Sequence, residues 1–362
     1  MKEKRPDKGL IILILVLLAL GLGMLLSASM NVSEEQTGNP YYYFLHQLTY
    51  GGVVGLIFFF FAQKIDYKIY KKFSLLIFFL ALILCVLVFI PQFGVRHGGA
   101  QRWLIIGPIN FQPSEFLKLA LIIYLATFFS KKEVQSGATN TLIPFLAITA
   151  VVGGLIALQN DAGTLGLILI VGLILFFLSG AKMPHVIIVI LIYIAGLFAL
   201  IKFFPHRMER LMTFLNPSTD PQGISYQINQ ALLAIGSGGL FGKGPGHSIQ
   251  KYNYLPEPMN DSIFAIMAEE IGFVGCVIFL ILILFLVFKG LKISKKVNDS
   301  FGKLLACGII SWFGFQTLIN VSAISGIIPL TGIPLPFVSY GSSALVITMV
   351  GAGILVNISK HT

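Results

Sequence analysis

Long apolar runs separated by short polar segments dominate the sequence. Most runs have about the 20 residues that a helix needs to cross the hydrocarbon core of a bilayer. The pattern predicts an all-α, polytopic integral membrane protein in one domain over residues 1–362, with a long loop between the seventh and eighth helices. Its ten predicted spans cover residues 9–30, 46–63, 73–90, 113–129, 142–158, 163–180, 184–204, 263–288, 304–328 and 335–358.

Composition supports this fold class. Hydrophobic residues make up 56% of the chain, charged residues 11%, and mean hydropathy is +0.88. Soluble domains carry about 25% charged residues, so this chain could not cover a water-exposed surface. The composition excludes disordered, coiled-coil and nucleic-acid-binding proteins. The three cysteines lie far apart in apolar runs, and the six histidines show no metal-ligand spacing, so no disulfide framework or transition-metal site is expected.

The net charge of +10 is a topology signal. Most of the 25 lysines and arginines fall on segments that share one side of the membrane when both termini are cytoplasmic. This orientation places the loops 91–112 and 205–262 outside. The short cytoplasmic loops contain no phosphate-binding G-x-x-x-x-G-K-[ST] motif, so chemistry is expected outside and without a nucleotide.

Charged residues in apolar spans are functional candidates, because they are costly in a membrane. Glu115 and Lys118 stand three apart and share one helix face. They form either a structural ion pair or a polar site where Lys118 meets a phosphate. In the loop before them, the planar fork of Arg102 matches a phosphate or carboxylate. Trp103 beside it acts either as an interfacial anchor or in the site.

The polar segments at the same side carry further candidates. Asp161 either caps the sixth helix or belongs to a site. Arg207 and Arg210 stand near the outer end of the seventh span. Asp261 precedes the eighth span and either caps it or acts as a base.

Two further features lie near Asp261. The glycine-rich segment, residues 236–246, includes Lys243, and its backbone amides can approach an anion closely. At least one of Glu269 and Glu270, two turns into the eighth span, should face the bundle interior.

Several ordered motifs resemble one family, the SEDS proteins (shape, elongation, division and sporulation). The resemblance covers essentially the whole chain. The motifs that carry it are Gly99–Trp103, Phe111–Lys118, Ala234–Gly246, Leu255–Asp261, Glu269–Phe273 and Pro329–Ser343. Asn216-Pro217, Tyr226-Gln227 and Ala234–Gly239 look more like the division and sporulation branch (FtsW, SpoVE) than the elongation branch (RodA).

The resemblance implies a peptidoglycan glycosyltransferase in the cytoplasmic membrane of a bacterium. Such an enzyme polymerises lipid II, an undecaprenyl-pyrophosphate-linked disaccharide, on the outer membrane face. It implies a class B penicillin-binding protein, a transpeptidase, as partner, together with other division proteins. By motif position the essential aspartate is Asp261, the first-loop tryptophan is Trp103, and the charged pair of the fourth span is Glu115 and Lys118.

Three positions depart from the family pattern. Met259-Asn260 replaces the usual His-Thr before Asp261, Gly341 replaces a double glycine, and Pro245 interrupts a Gly-x-Gly run. The acid is retained in the first case, so the expected catalysis stands. The other two affect local loop geometry.

The chemistry of glycan elongation fits these residues independently. A sugar hydroxyl attacks an anomeric carbon while a lipid pyrophosphate leaves. A carboxylate such as Asp261 can accept the hydroxyl proton, and cations must balance the charge on the pyrophosphate. Arg102, Lys118, Arg207 and Arg210 suit that role. A divalent cation, Mg²⁺ or Mn²⁺, fits it as well.

Two other functions stay open from the sequence. In a lipid II flippase or another transporter, Glu115, Lys118 and Asp161 would line a translocation path. No pair of interrupted spans in corresponding halves supports this alternative. In a non-catalytic scaffold the chain would only recruit division proteins, and the retained Asp261 argues against that.

Overall fold

A computed structural model describes residues 5–97, 100–106, 109–131, 134, 141–203, 205–216 and 224–362. The turn-rich stretch 217–223, with Pro217 of the branch motif, and Gly99 of the first loop motif lie outside the described residues.

Every predicted span coincides with a helix in the described part of the chain. In chain order the helices are α1 (Lys8–Thr37), α2 (Tyr42–His46), α3 (Val54–Lys64), α4 (Tyr67–Lys72), α5 (Ser74–Leu87), α6 (Pro113–Phe129), α7 (Leu142–Leu158), α8 (Ala162–Leu178), α9 (Met183–Phe203), α10 (Pro205–Leu215), α11 (Ile224–Ser237), α12 (Ile263–Lys296), α13 (Ser300–Ile324) and α14 (Ser342–Ser359). A π-helical turn, Gln47–Val53, joins α2 to α3.

Length and composition identify the spanning helices. Within the described residues, six helical segments are long and apolar enough to cross a membrane, and α5, α7 and α8 are shorter apolar helices. The segment from α2 to α3 counts as one of the six. The structure therefore confirms a polytopic, mainly helical membrane fold. The helices α13 and α14 are the most buried of the six. Helix α9 lies at the periphery, since only 11% of the residues in its most apolar part are buried.

Local sequence signals set several helix ends. Asp7, Asp161 and Asp299 cap α1, α8 and α13, each accepting a hydrogen bond from a backbone amide in the first turn. Gly38 ends α1 in the left-handed region, at φ 71°, where glycine has no steric penalty.

The tenth predicted span is too long at its start. Helix α14 begins only at Ser342, and residues 329–341 run through turns instead. Prolines in this stretch remove backbone donors and prevent a regular helix. Side chains of α13 satisfy the irregular backbone: Asn320 Nδ2 donates to the Ile333 carbonyl and Gln316 Nε2 to the Pro334 carbonyl, each at 2.8 Å. Non-helical backbone at membrane depth requires such partners.

The first long loop contains a sheet that the sequence pattern did not predict. Strands β1 (Gly94–His97), β2 (Ala100–Ile106) and β3 (Ile109–Phe111) form an antiparallel sheet in the order β1-β2-β3. The strands are short, and their polar and apolar residues alternate too weakly to stand out beside the long apolar runs. The described parts of the second long loop contain α10 and α11.

The helix α12 is interrupted at Gly272, which has φ 70° and ψ −173°. The glycine-rich segment packs into this break. The carbonyls of Glu269 and Glu270 accept from amides of that segment at 2.9 and 3.0 Å, and the amides of Phe273 and Val274 donate to its carbonyls at 2.9 and 3.0 Å. The amides of Lys243 and Gly244 thus bond to α12 and are not free to bind an anion.

The bundle has two distinct ends. We call the end that carries β1–β3 the sheet end and the opposite one the termini end. At the termini end the amide of Asp7 donates to Ser359 Oγ at 3.1 Å, and Lys289 Nζ donates to Asp7 Oδ1 at 2.9 Å.

Candidate active site at the sheet end

Five charged side chains from four separate parts of the chain converge at the sheet end. Arg102 comes from β2, Asp161 from the start of α8, Arg207 and Arg210 from α10, and Asp261 from the turn before α12. Arg102 Nε lies 4.0 Å from Asp161 Oδ2. Arg210 is near enough to Arg102, Asp161 and Asp261 to interact with all three charges. All five were candidates from the sequence.

Asp161 has both of the roles that the sequence left open. As the N-cap of α8 its carboxylate accepts from the Thr164 amide at 3.1 Å. It also pairs with Arg102, whose Nη2 donates to the Asn160 carbonyl. Asn160 is in the left-handed region, at φ 63°, so a strained turn places this carbonyl toward the sheet. The arginine fork is thereby fixed in direction.

Arg207 and Arg210 stand three residues apart on α10, so they project from one side of the helix. Arg207 is buried, and its Nη2 donates to the Ala157 carbonyl at the end of α7 at 3.0 Å. Arg210 is half-buried, and its buried Nε donates to no acceptor among the described residues. A buried guanidinium with an unused donor favours an anionic ligand, because an unpaired buried donor is costly.

Asp261 has a perturbed carboxyl group. Burial, followed by the charge of Glu257, raises its pKa to about 6, although Arg210 and neighbouring backbone amides act in the opposite direction. The loss of hydration on burial outweighs the opposing effect of Arg210 and the amides. A carboxyl with a pKa near 6 is ionised at neutral pH and close to the range that suits a general base.

The N-cap alternative does not describe Asp261. The N-cap of α12 is Ser262, and its side chain makes no capping hydrogen bond. Asp261 precedes the cap, and its backbone carbonyl accepts from Asn320 Nδ2 at 2.9 Å. The turn is therefore held by its backbone, which leaves the carboxylate available.

A chain of buried polar side chains leads from Asp261 into the bundle along α13. Gln316 lies one helical turn from Asn320, and its Oε1 accepts from Lys118 Nζ at 2.9 Å. Lys118 Nζ also donates to Glu115 Oε1 at 2.8 Å. The sequence analysis missed Asn320 and Gln316. Two amides four residues apart in an apolar span were the available signal, since polar side chains hold membrane helices together.

Of the two alternatives for Glu115 and Lys118, the contacts in the structure fit the structural ion pair. The side chains of Lys118 and Glu115 are only 2% and 1% exposed, and the ammonium is already bonded to Glu115 and Gln316. A phosphate at Lys118 stays a prediction. Lys118 bonds to Gln316, and Gln316 in turn donates to the Pro334 carbonyl of the irregular segment 329–341. That segment packs beside the turn of Asp261, since Ser339 Oγ donates to the Asn260 carbonyl.

The two other candidates lie outside the cluster of five. Trp103 is half-buried next to Arg102 in β2, and consecutive residues of a strand point to opposite faces. Lys243 pairs with Glu269 at 2.6 Å on the broken helix. Glu270 pairs with Lys251 at 3.0 Å, a partner that the sequence analysis did not identify. Glu269 and Glu270 are both fully buried, so both face the interior.

The described residues do not fit a metal held by the protein alone. No group of three or more His, Cys, Asp or Glu side chains is placed to bind an ion within the described ranges. In the cluster two aspartates stand among three arginines, a charge balance that favours an anion over a cation. The cluster therefore suits a negatively charged substrate group.

The family model for the cell cycle proteins FtsW, RodA and SpoVE matches residues 8–362. The chain belongs to this family. Stage V sporulation protein E of Bacillus subtilis is 38% identical over 100% of this chain and 99% of its own length. A probable peptidoglycan glycosyltransferase FtsW of Coxiella burnetii is 36% identical over 98% of this chain and 96% of its own. These relatives favour the FtsW and SpoVE branch.

Solved structures share the fold. A chain of a peptidoglycan synthase complex that coordinates polymerisation and crosslinking matches with a TM-score of 0.79 at 24% identity, over 98% of this chain and 97% of its own. The rod-shape-determining protein RodA of Thermus thermophilus matches with a TM-score of 0.70 at 27% identity, over 98% of this chain and 96% of its own. The SEDS fold expected from the motifs is thus confirmed.

Proposed function

We propose that this protein is a peptidoglycan glycosyltransferase that polymerises lipid II at the sheet end of the bundle. The observation that carries the proposal is Asp261, a carboxyl with a pKa of about 6, which interacts with Arg210 of a cluster of three arginines at one end of the bundle. A base next to an anion-binding cluster is the combination that glycosyl transfer from a lipid pyrophosphate needs. The names of the relatives, FtsW glycosyltransferases among them, support it.

In the proposed reaction, Asp261 accepts the proton of the attacking sugar hydroxyl. The new glycosidic C–O bond forms between the hydroxyl oxygen of the acceptor and the anomeric carbon of the donor, the sugar that carries the lipid pyrophosphate. The bond from that carbon to the pyrophosphate oxygen breaks, and the lipid pyrophosphate leaves with the electron pair. Arg102, Arg207 and Arg210 stabilise the negative charge of the leaving pyrophosphate. Two of them are already held in place: Arg102 by the Asn160 carbonyl and by Asp161, and Arg207 by the Ala157 carbonyl.

The orientation belongs to the same proposal. The sheet end faces outward and both termini are cytoplasmic, as the positive-inside distribution indicates. Lipid II can then keep its polyprenyl tail between the spans while its sugars reach Asp261. The disaccharide carries its own leaving group, so the reaction needs no nucleotide.

We propose a class B penicillin-binding protein as partner. The fold of this chain is that of one chain in a complex that couples polymerisation to crosslinking. Co-purification of the chain with a candidate transpeptidase from detergent extracts tests this assignment. The expected Mg²⁺ or Mn²⁺ stays a prediction, and polymerisation in the presence of a chelator tests it.

The decisive experiment is Asp261→Asn in the purified chain with its partner, assayed with fluorescent lipid II. Asn keeps the size and hydrogen-bonding ability of the side chain but cannot accept the proton. Polymerisation should fall by about 10²-fold or more. Asp66→Asn is the matched control, because Asp66 caps α4 and accepts from the Lys68 amide. Near-normal polymerisation by Asp261→Asn would contradict the catalytic assignment and favour the transporter alternative.

A further inference from the structure

A cavity of about 580 Å³ opens at the termini end, far along the bundle from the charged cluster. It lies between the start of α1, the last turns of α12 and the end of α14. Its walls combine basic, aromatic and small polar side chains: Arg5, Asp7, Phe285, Phe288, Lys289, Lys292, Ile293, Lys296, Ser359 and Thr362. It shares no residue with the candidate active site.

One side of α12 supplies the distinctive part of the wall. Phe285, Phe288, Lys289, Lys292 and Lys296 follow each other at spacings of one, three and four residues, so they form one stripe along the helix. Both phenylalanines are at least half exposed. The stripe therefore changes from aromatic to basic as α12 approaches its end.

The cavity has an excess of positive charge. Among the described side chains of the wall, Arg5, Lys289, Lys292 and Lys296 stand with one acidic side chain, Asp7, which is bonded to Lys289 at 2.9 and 3.1 Å. Lys292 and Lys296 are exposed. The side chains of the wall therefore favour an anionic ligand over a cationic one.

We propose that this cavity binds an anionic phospholipid of the leaflet at the termini end. The headgroup phosphate lies among Lys292, Lys296 and Arg5, and an acyl chain runs over Phe288 and Phe285. Basic pockets between membrane helices bind such headgroups.

The aromatic part of the stripe favours a lipid over a free phosphate or an acidic protein. Further toward the membrane the same helix exposes Ile281 and Ile278, so an apolar surface continues from the cavity into the bilayer. An acyl chain attached to the bound phosphate can pack against this apolar surface, whereas a free anion or a cytoplasmic peptide does not reach it.

The test measures lipid retention by the purified full chain in detergent. Phosphatidylglycerol and, as the zwitterionic reference, phosphatidylcholine are titrated, and native mass spectrometry counts the bound lipids. A lysine near an anionic headgroup contributes roughly five-fold in binding. The double variant Lys292→Gln with Lys296→Gln should therefore weaken phosphatidylglycerol binding about 30-fold and leave phosphatidylcholine binding unchanged.

Two further variants sharpen the test. Lys64→Gln with Lys68→Gln removes two exposed lysines at the same end, outside the cavity, and should change little. Asp7→Asn removes the acid in the wall but keeps a residue that caps α1, so phosphatidylglycerol should bind more tightly. This variant gives a gain, which misfolding does not produce.

The outcomes are distinct. Selective loss in the cavity variant together with a gain in Asp7→Asn supports the site. Equal loss in the Lys64 and Lys68 control would show a general charge effect and overturn it. Inorganic phosphate that displaces phosphatidylglycerol at constant ionic strength would show a site for the anion alone, which also overturns it. If the double variant Lys292→Gln with Lys296→Gln binds phosphatidylglycerol as tightly as the wild type, the proposal is likewise overturned.

Discussion

At the scale of single residues, Asp261 shows how the environment outweighs the nearest opposite charge. Burial removes water from the carboxylate, and Glu257 adds a like charge; together they exceed the effect of Arg210. The raised pKa also has a cost. An acid whose folded pKa is above its unfolded value stabilises the fold at low pH, and this contribution is lost as pH rises from about 4 through about 6.

The pH dependence of polymerisation should follow this carboxyl. Its base form becomes populated as pH rises through about 6, so the rate should increase over roughly pH 5–7, with half its maximum near 6. Rates of lipid II polymerisation at constant ionic strength measure the midpoint. Glu257→Gln removes the like charge and should move the midpoint to lower pH. A flat profile across this range would exclude Asp261 as the titrating base.

The buried pair of Glu115 and Lys118 gives a second prediction. Lys118→Met leaves the carboxylate of Glu115 buried without its cation, a change that costs about 3–5 kcal/mol. The variant should unfold at a lower temperature in detergent and lose polymerisation. Adding Glu115→Gln removes both charges and should restore most of the thermal midpoint. A wild-type midpoint for Lys118→Met alone would show that the pair does not stabilise the bundle.

At the scale of elements, the break in α12 and the glycine-rich segment depend on each other. A helix break leaves backbone carbonyls and amides without hydrogen-bond partners, which is energetically costly in a membrane. The segment satisfies them only because its backbone comes very near: a Cβ at Gly272 would lie 2.2 Å from the Gly242 nitrogen. Glycine is needed at Gly272 for this approach and for its positive φ.

Gly272→Ala should therefore be severely destabilising. The new methyl group meets backbone atoms, which cannot move aside as a flexible side chain can. We expect little monodisperse protein in size-exclusion chromatography and a loss of polymerisation. Gly154→Ala is the control, because a Cβ there has no atom within 4 Å. Equal yields for both variants would show that the break tolerates a side chain.

At the scale of the whole molecule, the proposed orientation can be tested by labelling. Glu34 is exposed in the last turns of α1 at the sheet end, while Lys295 is exposed near the end of α12. A membrane-impermeant maleimide should label Glu34→Cys in intact cells and Lys295→Cys only after lysis. Cys85, Cys276 and Cys307 are buried, so background labelling should be low. The reverse pattern would invert the topology.

The sequence by itself determined the fold class and the candidate residues. Apolar runs of spanning length predict helices because backbone groups in a bilayer must bond within their own segment. Charged residues such as Glu115 and Lys118 were conspicuous because such residues are rare in apolar runs. The motif resemblance indicated the family, which the comparisons confirmed. These signals are local or read in order along the chain.

The tertiary structure alone decided which of those residues meet. Arg102, Asp161, Arg210 and Asp261 come from distant parts of the sequence, and no spacing rule shows that they form one cluster. Nor does any spacing rule show that Lys118 bonds to Gln316 of α13, 198 residues away in the sequence. The pKa of Asp261 depends on how deeply the turn is buried. Burial and contact between distant segments result from packing the helices together, and a linear pattern does not contain that information.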